Sequence, residues 1–159
     1  MASISATGIA SAGRTRALAT SLAALLCLAA LPAMAPATAS VEIEFTQLRS
    51  HKGVLRICLT SDSADFPDCR DGRTAIKRTV SAGVPHVRFD GLAPGNYAVA
   101  VIHDANGNAR LDTMLGIPRE GFGFSRNPRI GFGPPSFTSA RFAVDPQPQT
   151  QSVRIRYLL

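Results

Sequence analysis

The feature that most constrains the fold is a two-residue alternation of apolar and polar side chains that returns in short segments. In the first segment, Val41, Ile43 and Phe45 are apolar and the residues between them are polar. Successive side chains of a β-strand point to opposite faces, so this pattern predicts half-buried strands rather than helices. Seven such strands are predicted, at residues 41–46, 53–60, 74–81, 84–90, 96–103, 140–144 and 153–157. They indicate an all-β fold, a single seven-stranded antiparallel β-sandwich of immunoglobulin-like architecture.

The segment 96–103 differs from the other strands because both of its faces are apolar. Residues 97–102 are all apolar. A strand with two apolar faces is covered on both sides, so this one is predicted to lie at the centre of the fold. It leads at His103 into one long loop, which is predicted to be ordered.

Residues 1–39 differ in composition from the rest of the chain. They contain no Asp or Glu and place Arg14 and Arg16 ahead of an apolar run at 17–31. These features predict a secretory signal peptide, cleaved after Ala39 because the earlier site would leave Pro36 at the new N terminus. A membrane anchor is disfavoured, since spanning a bilayer takes roughly 20 apolar residues. Residues 40–159 are therefore expected to form one periplasmic or secreted domain without a transmembrane segment.

Charge and cysteine content narrow the function classes further. Loss of Arg14 and Arg16 lowers the basic count from 17 to 15 against 11 acids, a mild net charge of about +4. No recognised nucleic-acid motif occurs, so nucleic-acid binding is not expected. Cys58 and Cys69 are an even pair in an oxidising compartment and are predicted to form a disulfide bond. Their spacing is not that of a redox-active Cys-x-x-Cys pair.

Residues 89–99, FDGLAPGNYAV, resemble the turn and strand of transthyretin-like (prealbumin-like) sandwiches. Several further motifs extend the likeness to nearly the whole mature chain: His103-Asp104, Asn106-Gly107-Asn108, Leu111-Asp112, Gly116-Ile117-Pro118, Glu120-Gly121, Gly123-Phe124-Ser125, Asn127 and residues 132–137. With them the chain resembles a family of secreted bacterial proteins, domain of unknown function 2141. The resemblance implies export and a sandwich fold but no mechanism. Ala109 departs from the glycine expected in that family's loop.

Asp and Asn residues recur at alternate positions directly after His103. Asp104, Asn106, Asn108 and Asp112 fall at positions 1, 3, 5 and 9 of a loop like those of EF-hands, and the carbonyl of Arg110 falls at position 7. Alternate residues on a tightly curled chain point their oxygens at one centre, which suits a hard cation. The spacing therefore favours a weak structural Ca²⁺ site.

A metal-free turn accounts for the same residues. Position 6 of the loop is Ala109 instead of glycine, and position 12 is Leu115 instead of a bidentate acid. Asn106-Gly107 is a strong hairpin signal, and Asp and Asn side chains stabilise turns by bonding their own backbone. Both interpretations stay open at this point.

Residues 116–137 show neither a strand period nor a helix period. A structureless loop of this length is uncommon in a compact domain, and its phenylalanines offer apolar surface for burial. One interpretation is that they fold back and cap the end of the sandwich. The other is an exposed aromatic face ringed by arginines, suited to a glycan or an anionic polymer. The ligand-binding candidates are Phe122, Phe124, Arg126 and Phe132.

Signals of catalysis are few. The chain contains no Gly-x-Ser-x-Gly, no His-Glu-x-x-His and no phosphate-cradling glycine loop. A small metal-assisted hydrolase that uses His103, Asp104 and Asp112 is the alternative. A histidine at the end of a central strand is more often structural, so the sequence favours a non-enzymatic binding or accessory module of the bacterial envelope.

Overall fold

The computed structural model describes residues 38–70 and 75–159, and the predicted signal peptide lies almost wholly outside them. These residues form ten strands and one short helix: β1 Ala39–Thr46, β2 Val54–Thr60, β3 Ala75–Ser81, β4 His86–Leu92, β5 Gly95–Asp104, β6 Thr113–Met114, β7 Ile117–Pro118, β8 Gly121–Phe124, α1 Phe137–Ala140, β9 Phe142–Val144 and β10 Gln149–Arg154. The all-β prediction is confirmed.

The strands form two main sheets and one small hairpin. The first sheet has the order β10-β1-β4, and the second has the order β3-β2-β5-β8, with β9 also paired to β5. Strands β6 and β7 pair only with each other. Strand β1 pairs with β10 in parallel, with Val41 opposite Gln149. The prediction of a purely antiparallel fold is therefore wrong for this pair. Strands β1 and β10 can pair in parallel because the long chain between them allows a crossover.

A hydrophobic cluster joins the two main sheets and forms the main core. It contains Val41 and Ile43 from β1, Phe89 from β4, and Leu55 and Leu59 from β2. A second cluster lies on the other face of β5 and is built from Cys58, Cys69, Ala98, Ala100, Phe122, Phe124 and Ala140. Strand β5 is thus covered on both faces, as its sequence predicts, and the long loop begins at its last residue.

Cys58 and Cys69 form the predicted disulfide bond. The bond closes a chain separation of 11 residues, which stabilises the fold by about 3 kcal/mol on the chain-entropy model. It ties the segment after β2 onto the second cluster, where the ring of Phe66 lies 5.9 Å from that of Phe124 and 6.0 Å from that of Phe137.

Three details differ from the sequence prediction. Residues 116–137 contain strands β7 and β8, and β8 pairs with β5. Ala140 does not start a strand but ends α1, a single helical turn with Ser136 as its N-cap. The last strand is Gln149–Arg154, earlier than the predicted 153–157. No helix among the described residues is long and apolar enough to cross a membrane.

A loop braced by two buried carboxylates

Asp104 is the last residue of β5, and its fully buried carboxylate organises the start of the loop. One oxygen, Oδ1, accepts hydrogen bonds from the backbone N–H groups of Gly107 at 2.6 Å and Asn108 at 3.1 Å. The other, Oδ2, accepts the N–H of Ala109 at 2.9 Å. The three donors belong to consecutive residues, so the chain curls tightly around the carboxylate. Ala109 takes a positive φ of 66° in this curl, a backbone conformation that glycine adopts without the steric cost of a Cβ.

Arg56 on the neighbouring strand β2 completes the environment of Asp104. Its Nε donates to Asp104 Oδ2 at 2.7 Å, and its side chain is 32% exposed while that of Asp104 is 0% exposed. Burial raises the pKa of the Asp104 carboxyl, but the hydrogen bonds from Arg56, Ala109 and Gly107 lower it by more. The net pKa lies below its usual range, so Asp104 is ionised and fully hydrogen-bonded.

Glu120 is a second buried carboxylate, and it joins the two ends of the loop. Its Oε1 accepts the N–H of Ala105 at 3.2 Å, and its Oε2 accepts the N–H of Asp112 at 3.0 Å. Residues 105 and 112 are thereby fixed to the start of β8. Asp104 and Glu120 together fix the conformation of residues 104–120, which we call the braced segment.

Asp112 lies on the solvent side of this segment, between two asparagine side chains. Asn106 Nδ2 donates to Asp112 Oδ2 at 2.7 Å, and Asn108 Nδ2 donates to Asp112 Oδ1 at 2.8 Å. The amide oxygens point the other way: Asn106 Oδ1 accepts the N–H of Asn108, and Asn108 Oδ1 accepts the N–H of Arg110. The side chains predicted to bind calcium do cluster, but they satisfy one another.

The geometry can be compared with what a calcium site requires. Ca²⁺ takes six to eight oxygens that converge on one point. Both Asp104 oxygens already accept two donors each, and the asparagines turn N–H groups, not oxygens, toward Asp112. This arrangement is that of an Asx-stabilised turn.

The braced segment ends in a short hairpin, β6–β7, that exposes apolar side chains. Its ladder pairs Met114 with Ile117, so Leu115 and Gly116 form a two-residue turn with φ values of 53° and 79°. Leu115 is 96% exposed, and Met114 and Ile117 are 49% and 42% exposed. At the base of the hairpin the N–H of Arg119 donates to the carbonyl of Asp112 at 2.8 Å. We call Met114, Leu115 and Ile117 the hairpin tip.

The four residues predicted as ligand-binding candidates do not share one surface. Phe122 and Phe124 are buried in the second cluster, whereas Phe132 and Arg126 are exposed. The two buried rings are unavailable to an external ligand because they cover the outer face of β5. They support the fold, and an aromatic face built from all four residues is absent from the described structure.

His103 is the buried neighbour of Asp104, and both of its ring nitrogens have partners. Nε2 lies 2.8 Å from the carbonyl oxygen of Lys52, which can only accept, so Nε2 carries the proton. Nδ1 lies 2.7 Å from the Tyr157 hydroxyl, which can donate or accept. Adjacent residues of a strand point to opposite faces, so His103 and Asp104 diverge. The trio that the hydrolase alternative needs is therefore not brought together.

Residues 43–152 match the model of a family described as uncharacterized protein conserved in bacteria (DUF2141). The chain belongs to this family. The match includes the complete braced segment 104–120 and agrees with the family that the sequence resembles. No curated protein and no solved structure matches the chain.

Three residues that build the site were not among the sequence candidates: Gly53, Arg56 and Glu120. Gly53 has a φ of 77°, and a Cβ there would lie 2.2 Å from the carbonyl oxygen of Asp104. The only sequence signal for Glu120 was its place in the Glu120-Gly121 motif of the family resemblance. The contact of Arg56 with Asp104 depends on strand register, which one sequence does not reveal.

Proposed function

We propose that the chain is an exported, non-enzymatic binding module of the bacterial envelope and that it binds through the hairpin tip. The segment 104–120 acts as a rigid mount, and the tip is the part that meets the partner. The composition of residues 1–39 and the disulfide bond, which suits an oxidising compartment, support export. We further propose that the two sheets and their common core are a transthyretin-like β-sandwich, elaborated by the parallel strand β10.

The observation that carries this proposal is the conformation of Leu115. A leucine side chain that is 96% exposed gains nothing from burial, and a non-glycine residue at positive φ costs roughly 1–2 kcal/mol. Asparagine or glycine would fit this turn without either cost. Unfavourable local choices of this kind concentrate at functional sites, and contact with a partner would give the exposed leucine the burial that the fold does not provide.

The side chains that could do chemistry are already engaged. His103 has two ring partners, and the Asp104 carboxylate accepts four donors. A groove beside Ser40, Glu42 and Arg88 has a volume of about 200 Å³, below the roughly 300 Å³ at which small-molecule sites begin. These features favour recognition of a large partner over turnover of a small substrate.

Replacing Leu115 with asparagine tests the proposal. We expect the Leu115→Asn variant to be more stable by about 1 kcal/mol, because asparagine tolerates the turn, and to lose retention on washed bacterial envelopes in a sedimentation assay. Phe132→Ser, which removes an exposed ring outside the braced segment, should be retained like the wild type. If Leu115→Asn is retained and Phe132→Ser is not, the binding surface lies in residues 126–137 and the proposal is wrong.

Calcium is the second candidate for the braced segment, favoured by the convergence of Asn106, Asn108 and Asp112. Binding would require both amides to rotate and give up their bonds to the backbone. We therefore expect the melting temperature to be the same in millimolar Ca²⁺ and in chelator. A rise with Ca²⁺ that Asp112→Asn abolishes would establish a calcium site instead of a self-sufficient turn.

A further inference from the structure

We infer that the hairpin tip docks on the surface of a bilayer that contains anionic phospholipid. This inference rests on the proposed function, because it names the partner of the same tip. It draws on three properties of the described residues: the narrow shape of the tip, the charges around its base and the distance between the two.

The tip is narrow and purely aliphatic. Leu115 lies in a two-residue turn, and Met114 and Ile117 flank it in strands of only two residues each. A stable protein interface buries about 800 Å² on each partner and is anchored mainly by Trp, Tyr and Arg. An apex of three aliphatic side chains does not supply such a surface. Lipid chains, in contrast, close around any apolar group that enters the interface.

The basic and acidic side chains near the base of the tip differ in their hydrogen bonding. Arg110 and Arg119 are exposed, and neither guanidinium has an ion pair among the residues that the structure describes. The acids nearby are engaged: Glu120 is buried on backbone N–H groups, and the Asp112 oxygens accept the asparagine amides. Asp112 and Glu120 keep their charges, but their oxygens are committed to donors within segment 104–120. The exposed guanidiniums of Arg110 and Arg119 have no such partner in the described part of the chain and complement lipid phosphates.

The spacing of the two features matches the depth of a bilayer interface. Arg119 follows the turn residue Gly116 by three positions, and a strand rises about 3.3 Å per residue, so the turn stands up to about 10 Å beyond the backbone of Arg119. Apolar groups of interfacial proteins enter roughly 5–10 Å below the headgroups. With the guanidinium at the phosphates, Leu115 and its neighbours reach the acyl boundary.

Vesicle sedimentation provides the test, with the chain as it is recovered from producing cells. Vesicles of phosphatidylcholine with phosphatidylglycerol are compared with vesicles of phosphatidylcholine alone. We expect the wild type to bind the anionic vesicles more tightly, and high salt to reduce this binding. Leu115→Asn should weaken binding about tenfold through the lost apolar burial. Arg119→Gln should weaken it about fivefold, on anionic vesicles only. Phe132→Ser is the matched control and should bind as the wild type does.

Each outcome decides the inference. Loss of vesicle binding in Leu115→Asn together with normal binding of Phe132→Ser supports it. Equal vesicle binding of the wild type and Leu115→Asn overturns it. A wild type that binds anionic vesicles no more tightly than phosphatidylcholine vesicles also overturns it. If envelopes retain the wild type through Leu115 but vesicles do not, the partner is a protein or a glycan, and the proposed function survives without the lipid. If neither envelopes nor vesicles retain the wild type, the proposed function and the lipid inference are both wrong.

Discussion

Replacing Asp104 with asparagine is expected to lower the free energy of unfolding by about 3–5 kcal/mol at neutral pH, because it leaves buried donors and the Arg56 charge without their acceptor. Each carboxylate oxygen of Asp104 accepts two hydrogen bonds. In asparagine one oxygen becomes an NH₂ group, which faces donors whichever way the amide turns. Urea unfolding measures the loss. Trypsin cleavage at the exposed Arg110 and Arg119 should accelerate as the segment 104–120 opens.

A second aspartate–arginine pair in the chain provides a matched control. Arg88 Nε lies 2.7 Å from Asp90 Oδ1, the same separation as in the Arg56–Asp104 pair. Asp90 is 65% exposed, whereas Asp104 is fully buried. Exposed pairs contribute little because water screens them, so Asp90→Asn should unfold at the same urea concentration as the wild type. Equal losses in the two variants would show that the Asp104 carboxylate is not the brace that its geometry indicates.

The contribution of Asp104 should also depend on pH in a defined direction. Its folded-state pKa is depressed, so the folded protein binds the proton less readily than the unfolded chain, in which an aspartate titrates near about 3.9. The stability from this group is therefore fully present above that value and is lost as the pH falls through the lower, folded-state pKa. Wild type and Asp104→Asn should differ in stability at neutral pH and converge in acid. A constant difference at all pH values would contradict this linkage.

The strands that the sequence predicts well are those whose inward faces carry large side chains. Strand β5 is apolar from residue 97 to residue 102, and its sequence predicts the central position that it has in the fold. Strand β8 was not predicted from the sequence, because its inward residues are Gly121 and Gly123. A Cβ on them would lie 2.5 Å from the Tyr157 ring and 2.7 Å from the Arg154 carbonyl. Close packing demands glycine there, and glycine removes the apolar signal on which the alternation depends.

The sequence indicated where the candidate site lies but not which residues hold it in place. Alternating Asp and Asn residues mark the segment after β5, where their side chains lie close together. The partners that hold this segment in place are distant in sequence: Arg56 lies 48 positions before Asp104, and Glu120 lies 15 positions after Ala105. Such partners are set by strand register and by where β8 returns to the sheet. The exposed turn at Leu115 was likewise hidden, since only the backbone conformation reveals that leucine is unfavourable there.

Replacing Gly53 with alanine is the second change expected to have a large effect. We expect the free energy of unfolding to fall by about 3 kcal/mol, because a steric conflict and an unfavourable φ add together. Gly53 precedes β2 with a φ of 77°, and an added Cβ would lie 2.2 Å from the Asp104 carbonyl oxygen and 2.6 Å from Ala105 Cα. Both contacts are to backbone, so neither can be relieved by a side-chain rotation. The chain must move where the braced segment begins.

Gly91→Ala separates the two causes, because Gly91 has a similar φ of 71° and no atom within 4 Å of an added Cβ. Its loss should be about 1–2 kcal/mol, the cost of the left-handed backbone alone. The excess in Gly53→Ala measures how closely β2 supports the segment 104–120. That excess should appear together with faster trypsin cleavage at Arg110 and Arg119 and weaker envelope retention, although the hairpin tip itself is unchanged. Equal losses in both variants, or a destabilised Gly53→Ala with unaltered cleavage and retention, would mean that the tip does not need a rigid mount.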